Sequence, residues 1–461
     1  MVKRHITLAL IMLLMLSTLS VCTSCDNITK NATEEITGAI KIENEIETGD
    51  ADSDSLIDDE SLTDEETSSE NKCESYRYLA SETLLLDSRY NGVRQAVYDG
   101  LEEHDLQGTI LVGVGDDIVY AESFGKASEW DNIDNTNITR YGIASLTKSF
   151  TAAAIMQLYE EEKLDIYDSI DKYFPDYKYG KDITILELMQ MRSGIIDYLN
   201  DMKRYMTVSD SKAIYEEFIE NKDYKGLDEY KWSREDMLKN LYNNDLLFEP
   251  DEQYAYSNTN YYLLGCIIEQ VSGMEYDEYI TENILVPCDM SNSNLNPLEN
   301  DAVSYIKSEG FVSSSYETLF AAGGIRSDVF DMFSWMRNLS KGNIVSKESF
   351  EIMTDVKDVA IKDKMHYEKE QQRLKEELKD EYEEPEIDPD YEPTYYACGL
   401  MVTGPNVWHR GYIDGFANYM SVNVENDVTI IILTNSGDER VTKDIGGLWN
   451  DINDAVEKIE R

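Results

Sequence analysis

Ser145-Leu146-Thr147-Lys148 is the stretch on which the reading of this chain turns. A serine and a lysine three apart on a helix share one face, so their side chains can meet. A serine hydroxyl is a poor nucleophile until a neighbour takes its proton, and a lysine held neutral can help do that. Alone the tetrad is weak, because these residue types pair by chance. Two further stretches follow in order, Tyr256-Ser257-Asn258 and His409-Arg410-Gly411. Together the three point to covalent chemistry on a serine hydroxyl.

Working outward, the periodicity predicts a helix over Leu86–His104 and strands over Gly108–Val114 and Ile118–Phe124, with Gly115-Asp116-Asp117 as the hairpin turn. Ser145 opens a helix whose apolar positions include Phe150, Ala154 and Leu158. From Leu164 to about Asn296 the chain reads as mostly helical, and a Gly-Gly turn at Gly323 leads into a helix ending near Leu339. Tyr396–Thr403 reads as a strand, Ala417–Glu425 and Val428–Asn435 as an antiparallel pair, and Gly446–Glu460 as a closing helix. The implied class is α/β (α+β): an antiparallel sheet flanked by helices, with an all-helical subdomain at about residues 160–320 in a domain spanning 83–461.

The 461 residues carry 42% hydrophobic side chains, enough for a sizeable core, and a formal net charge of −51. That charge excludes nucleic acid as a partner and excludes charge-driven adhesion to anionic lipid. It reads as a solubility device rather than a surface for a cationic partner. Met1-Val2-Lys3-Arg4-His5 is a basic start, and the apolar run Ile6–Val21 is short for a membrane span. The run ends at Cys22-Thr23-Ser24-Cys25, which resembles a bacterial lipoprotein processing site. Residues 1–25 are therefore expected to be a signal peptide, with lipidation at Cys25, which follows the small Ser24, or at Cys22. Residues 26–82 are expected to be a disordered tether, since Asp26–Glu74 holds 17 acids against 3 lysines. This predicts an extracytoplasmic protein that touches the membrane only through a lipid anchor, or else one that is secreted.

Of the remaining cysteines, Cys266 and Cys398 sit in apolar runs and are expected to be buried, whereas any pairing among Cys73, Cys266, Cys288 and Cys398 stays open. Four histidines with no metal-ligand spacing imply neither a metal nor another cofactor. A charged insertion at about 355–393 interrupts the pattern. Its Glu- and Lys-rich run Lys362–Tyr382 predicts an exposed helix, followed by Pro385, Pro389 and Pro393. It reads as a solvated insertion, with a lid or partner arm as the alternative.

From about Tyr90 onward the chain resembles the serine β-lactamase and penicillin-binding superfamily, in its class C β-lactamase and D-alanyl-D-alanine carboxypeptidase branch. The three motifs carry the resemblance, with Leu164–Pro175, Phe248-Glu249-Pro250, Tyr256–Gly265 and Ile431–Asn435 flanking them. The resemblance implies the fold of that superfamily and an acyl-enzyme mechanism. It makes Ser145 the nucleophile, Lys148 its polarising partner and Tyr256 the general base of acylation. A tyrosine serves as base only if nearby cations lower its pKa, and Lys148 is the obvious one. Asn258 would hold Lys148 and a substrate amide. His409, Arg410 and Gly411 would line the substrate strand, Gly411 admitting the substrate backbone, and the N–H groups of Ser145 and Tyr412 would form the oxyanion hole.

Three positions depart from the family. Arg410 stands where a threonine or serine is usual, so it either clamps a carboxylate or fills the pocket. Tyr412 replaces a small residue, and Met191 replaces the histidine many relatives carry before Ser193-Gly194. The expected substrates are D-peptides of the peptidoglycan type or β-lactams. The alternatives are a small-ester esterase or D-aminopeptidase of the same fold, or a non-catalytic binding module.

Overall fold

Alternation along Gly108–Val114 gives two buried faces rather than one: Ile110 and Val112 pack with one core cluster and Leu111 with the other. A strand buried on both sides belongs in the middle of a layered domain. The computed structural model describes residues 83–104, 106–207, 233–298, 301–306, 310–311, 316–379, 392–413, 415–436 and 441–460. The expected signal peptide and tether, Cys73 and the prolines at 385 and 389 lie outside the described residues.

The sheet has eight strands: β1 (Leu84–Leu85), β2 (Gly108–Val114), β3 (Asp117–Phe124), β4 (Tyr395–Tyr396), β5 (Met401–Thr403), β6 (Asn406–Ile413), β7 (Phe416–Asn423) and β8 (Val428–Thr434). Their order is β1-β3-β2-β8-β7-β6-β5-β4, and every pair is antiparallel. An early strand and the last strand of the described domain therefore meet in the centre, where β8 pairs with β2. The β2–β3 turn is tighter than the sequence reading, because Val114 already pairs with Asp117.

Helices α1 (Asn91–His104) and α6 (Val441–Glu460) cover one face through Val93, Val97, Ile445, Leu448, Ile452 and Val456. The other face carries α2 (Thr147–Glu160) and α4 (Val329–Lys341), with α3 (Asn258–Ser272) beyond α2. Phe150 of α2 stacks on Trp335 of α4 at 3.9 Å, and the Trp335 indole N–H donates to Ser149 Oγ at 3.0 Å. Aromatic stacking and a satisfied indole fix the position of α2, and with it the serine at its head.

Several bounds differ from those read off the sequence. The first helix starts at Asn91, because Leu84–Leu85 is claimed by the sheet edge and Ser88–Tyr90 forms a 3₁₀ turn capped by Asp87. The strand expected over Tyr396–Thr403 is broken into β4 and β5 by Gly399, whose φ is +69°. Between α2 and Phe320 the described chain is sparser in helix than expected. Short helices such as Ile185–Met189 and Arg234–Asn243 alternate with turns, and Tyr305–Ile306 pairs with Gly310–Phe311 as a small hairpin. Cys266, Cys288 and Cys398 are all free and buried.

The insertion begins as a long helix, α5 (Lys357–Leu378). Much of it is exposed, Met365 at 64%. It is also clipped to the domain. Asp363 pairs with Arg192 at 2.5 Å, Lys362 with Asp251 at 2.6 Å and Lys369 with Glu252 at 3.1 Å. No described helix is long and apolar enough to cross a membrane.

Candidate active site

Ala144 holds a left-handed φ of +50°, an uncommon conformation for a residue with a Cβ. The turn it makes puts Ser145 two residues ahead of α2, in a short 3₁₀ segment Ala144–Leu146. From Tyr141 to Phe150, Ser145 is the one residue that is not buried. Its hydroxyl is thus held at a helix N-terminus, open to the cleft, where the helix dipole favours negative charge.

Lys148 lies one turn on, fully buried. Its Nζ reaches Ser145 Oγ at 2.9 Å, Asn258 Oδ1 at 2.8 Å and the Ala322 carbonyl at 2.7 Å. Three acceptors match the three protons of an ammonium. None is a carboxylate, so burial dominates and pulls the lysine down to about 7, Asp197 opposing. The amine therefore titrates near neutrality.

The Tyr256 phenol donates to the same Ser145 Oγ at 2.8 Å. Its electrostatics reverse the sequence expectation. Burial pushes the phenol well above its ordinary value, and the hydrogen bond to Ser145 and the charge of Arg410 only partly offset this. The Lys148 Nζ lies 5.0 Å from the Tyr256 ring centroid, yet it does not make a tyrosinate. The group poised to accept a proton is the lysine.

Asn258 opens α3 and turns its carbonyl to Lys148, as expected. Its amide does not point to a substrate. Nδ2 donates to both oxygens of Asp197, at 3.2 and 2.9 Å. Thr259 ties the same helix start to the Asp197 loop, accepting from the Tyr198 N–H at 3.0 Å and donating to the Ile196 carbonyl at 2.6 Å.

The third motif lies on β6. The Val424 N–H donates to the Pro405 carbonyl, so odd-numbered residues of β6 turn their backbone groups to β7 and even-numbered ones turn theirs the other way. β5 covers that second edge only as far as Trp408, leaving Arg410 and Tyr412 beyond it. The Tyr412 N–H thus faces the edge of the sheet away from β7.

Side chains alternate as well. His409 and Gly411 are buried, while Arg410 and Tyr412 are exposed. His409 Nε2 meets the Tyr396 hydroxyl at 3.3 Å and Nδ1 meets the Arg410 carbonyl at 2.6 Å. Burial, with the Lys148 and Arg410 charges, pushes the imidazole down to about 3, so it is neutral. Tyr396 stands edge-on to both Tyr256 and His409, which separates the histidine from the nucleophile. Gly411 is needed for a different contact than expected: a Cβ there would lie 2.2 Å from the Ile143 carbonyl, so the strand packs on the loop that carries Ser145. Arg410 lies over the Trp408 ring at 5.8 Å, at the rim of the cleft rather than filling it.

Met191 also has work of its own. At φ +58° its carbonyl accepts from the Ala255 N–H at 2.9 Å, and its sulfur accepts from the Ser257 N–H at 3.3 Å. Both bonds hold the segment carrying Tyr256. Among the described residues no cluster of three or more His, Cys, Asp or Glu could hold a metal ion.

The profile of the Beta-lactamase family matches residues 93–448, which contain every residue of this cluster. The chain belongs to the beta-lactamase family. It has that family's mixed α/β fold.

Penicillin-binding protein 4* of Bacillus subtilis (strain 168) is 30% identical over 280 residues, covering 56% of this chain and 57% of that protein. Protein flp of Staphylococcus aureus (strain MRSA252) is 29% identical over 226 residues, covering 46% and 41%. The chain spans about half the length of these curated relatives. Among solved structures, the octameric penicillin-binding protein homologue from Pyrococcus abyssi shares 27% identity at a TM-score of 0.55, over 75% of this chain and 73% of that one. D-amino acid amidase from Ochrobactrum anthropi SV3 shares the fold at a TM-score of 0.63, with 20% identity over 81% of this chain and 100% of that one.

Asp197 and Tyr396 escaped the sequence reading. An acid inside the apolar run Ile195-Ile196-Asp197-Tyr198 was the available signal for the first, because a buried carboxylate needs donors. Tyr396 had no signal beyond its place in an apolar strand.

Proposed function

We propose that this beta-lactamase family member hydrolyses amides or peptides bearing D-residues, peptidoglycan stem peptides foremost, through an acyl-enzyme on Ser145. The observation that carries this is the convergence of Lys148 Nζ and Tyr256 Oη on Ser145 Oγ, at 2.9 and 2.8 Å. Neutral Lys148 takes the Ser145 proton as the oxygen attacks the substrate carbonyl, whose π electrons become the oxyanion. The Ser145 and Tyr412 N–H groups are the donors assigned to that oxyanion. Collapse breaks the bond to the leaving group, which takes the Tyr256 proton, and the Lys148 ammonium restores it. Water then attacks the ester and regenerates the free serine.

The substrate class is supported by the company the chain keeps: a penicillin-binding protein in Bacillus subtilis, and D-amino acid amidase and D-stereospecific amidohydrolase among the shared folds. The basic start, apolar run and Cys22/Cys25 pair support export and lipid anchoring as part of the same reading. Labelling with a fluorescent penicillin and a fluorophosphonate, beside Ser145→Ala, tests it. We expect both labels on Ser145 and turnover of D-Ala-D-Ala peptides or D-amino acid amides. Fluorophosphonate labelling with turnover of nitrophenyl esters alone would sink the D-residue reading. No labelling at all would sink the enzymatic mechanism.

A further inference from the structure

The Asp197 side chain is nearly enclosed, at 6% exposure, and every hydrogen bond it makes is one it accepts. The Leu199 and Asn200 N–H groups donate to Oδ1 at 2.8 and 3.3 Å, and the Asn200 side chain donates to Oδ2 at 2.6 Å. The remaining donor is the Asn258 amide. An asparagine side chain can be turned over with little change of shape, exchanging its oxygen for its nitrogen. Here one orientation satisfies both neighbours, because Asp197 needs a donor and Lys148 needs an acceptor. In the other, oxygen would face carboxylate and NH₂ would face the ammonium.

We propose that Asp197 is a positioning residue: it locks Asn258 with its carbonyl toward Lys148, stands as the anion behind that amide, and so sets the protonation of the lysine. This rests on the reading of Ser145 as nucleophile and Lys148 as its base. The other groups facing Lys148 cannot replace Asp197 as its counter-charge. Tyr256 and Tyr261 present ring faces at 5.0 and 5.7 Å, and burial holds both phenols protonated. His409 is neutral, and Arg410 on the same strand is positive. With Asp197 in place, the lysine keeps enough basicity to take a proton near neutral pH. Without it, the lysine is a weaker base and is neutral over a wider range.

The test is the pH dependence of the fluorophosphonate labelling rate in wild type, Asp197→Asn and Asp197→Glu. Wild type should lose reactivity as pH falls through about 7. Asp197→Asn should move that limb about one pH unit lower while lowering the plateau about tenfold. Asp197→Glu should keep the limb near wild type. A merely structural role would lower the rate without moving the limb, so an unmoved limb in Asp197→Asn, or an equal shift in Asp197→Glu, would overturn the proposal. Should Asp197→Asn not fold, Asp197→Ala with and without formate reads the same quantity: the limb drops, and formate restores it. A limb that formate leaves unmoved counts against the proposal. Label retained in Ser145→Ala would instead remove the reading of the nucleophile, a result distinct from any of these.

Discussion

Lys148 and Arg192 are both basic side chains with no exposed surface, and their pockets treat charge in opposite ways. Around Arg192 the chain gathers carboxylates: Asp251 at 2.9 Å and Asp363 at 2.5 Å, with the Asp251 carbonyl at 3.0 Å. Around Lys148 it gathers neutral oxygens and holds the nearest carboxylate one side chain away, behind Asn258. A guanidinium stays protonated in either setting, whereas an amine without an adjacent anion can be driven neutral. The first pocket fastens α5 to the loop that leads to Tyr256. The second gives up stability to make a base.

The difference can be broken most sharply at Lys148 itself. Lys148→Arg keeps a cation that cannot release its proton, so labelling of Ser145 should fall by roughly a thousandfold or more, read as a rate. The two pockets should then respond with opposite signs to loss of charge. Arg192→Met leaves Asp251 and Asp363 facing each other. Because each keeps about a third of its surface in water, the loss should be about 2 kcal/mol, somewhat below that for a fully buried pair.

Lys148→Met should raise stability at neutral pH by about 1–2 kcal/mol, net of its lost hydrogen bonds, while abolishing activity. The sign follows from the depressed lysine, at about 7 folded against 10.5 ordinarily. Between those values the unfolded chain binds a proton that the folded chain does not, so wild-type stability rises with pH across that window. The advantage of Lys148→Met should shrink over the same range, and urea melts at several pH values read both effects. Asp363→Asn sharpens the comparison on the structural side. It should cost about 1 kcal/mol, less at high salt, with little change in labelling. His409→Gln should have the smallest effect, a few-fold loss of rate with the pH limb unmoved, because the imidazole is already neutral and reaches the site through Tyr396.

The strands, the nucleophile helix and the three motifs were legible because each has a local signature: period-two burial, a glycine turn, a fixed spacing. Ser145, Lys148, Tyr256 and the Asn258 carbonyl converge; spacing alone implied only that Ser145 and Lys148 meet, and the other two came from the family resemblance. The roles within that cluster were not legible. Whether Lys148 or Tyr256 holds the lower pKa depends on burial and on which acceptors surround the amine, and those come from Ala322 and Asn258, distant in sequence. Asp197 escaped for the same reason, since its donors are assembled by the fold. Gly411 was read as clearance for a substrate, and only the packed structure reveals the Ile143 carbonyl beside it. The insertion helix was legible from its charge, but its fastening to Arg192 was not, because that arginine precedes it by about 170 residues.

Two glycines hold the nucleophile segment from the sheet side. A Cβ on Gly399 would lie 2.6 Å from the Lys148 carbonyl, and one on Gly411 would lie 2.2 Å from that of Ile143. Neither position can accept a new side chain without displacing the catalytic residues. The neighbours of Gly411 on β6, Arg410 and Tyr412, are exposed at the rim. Alternation along one strand thus separates a position whose Cβ would collide with the nucleophile segment from positions that face the rim, so the lining of the cleft can be rewritten at alternate residues of β6 without moving Ser145 or Lys148.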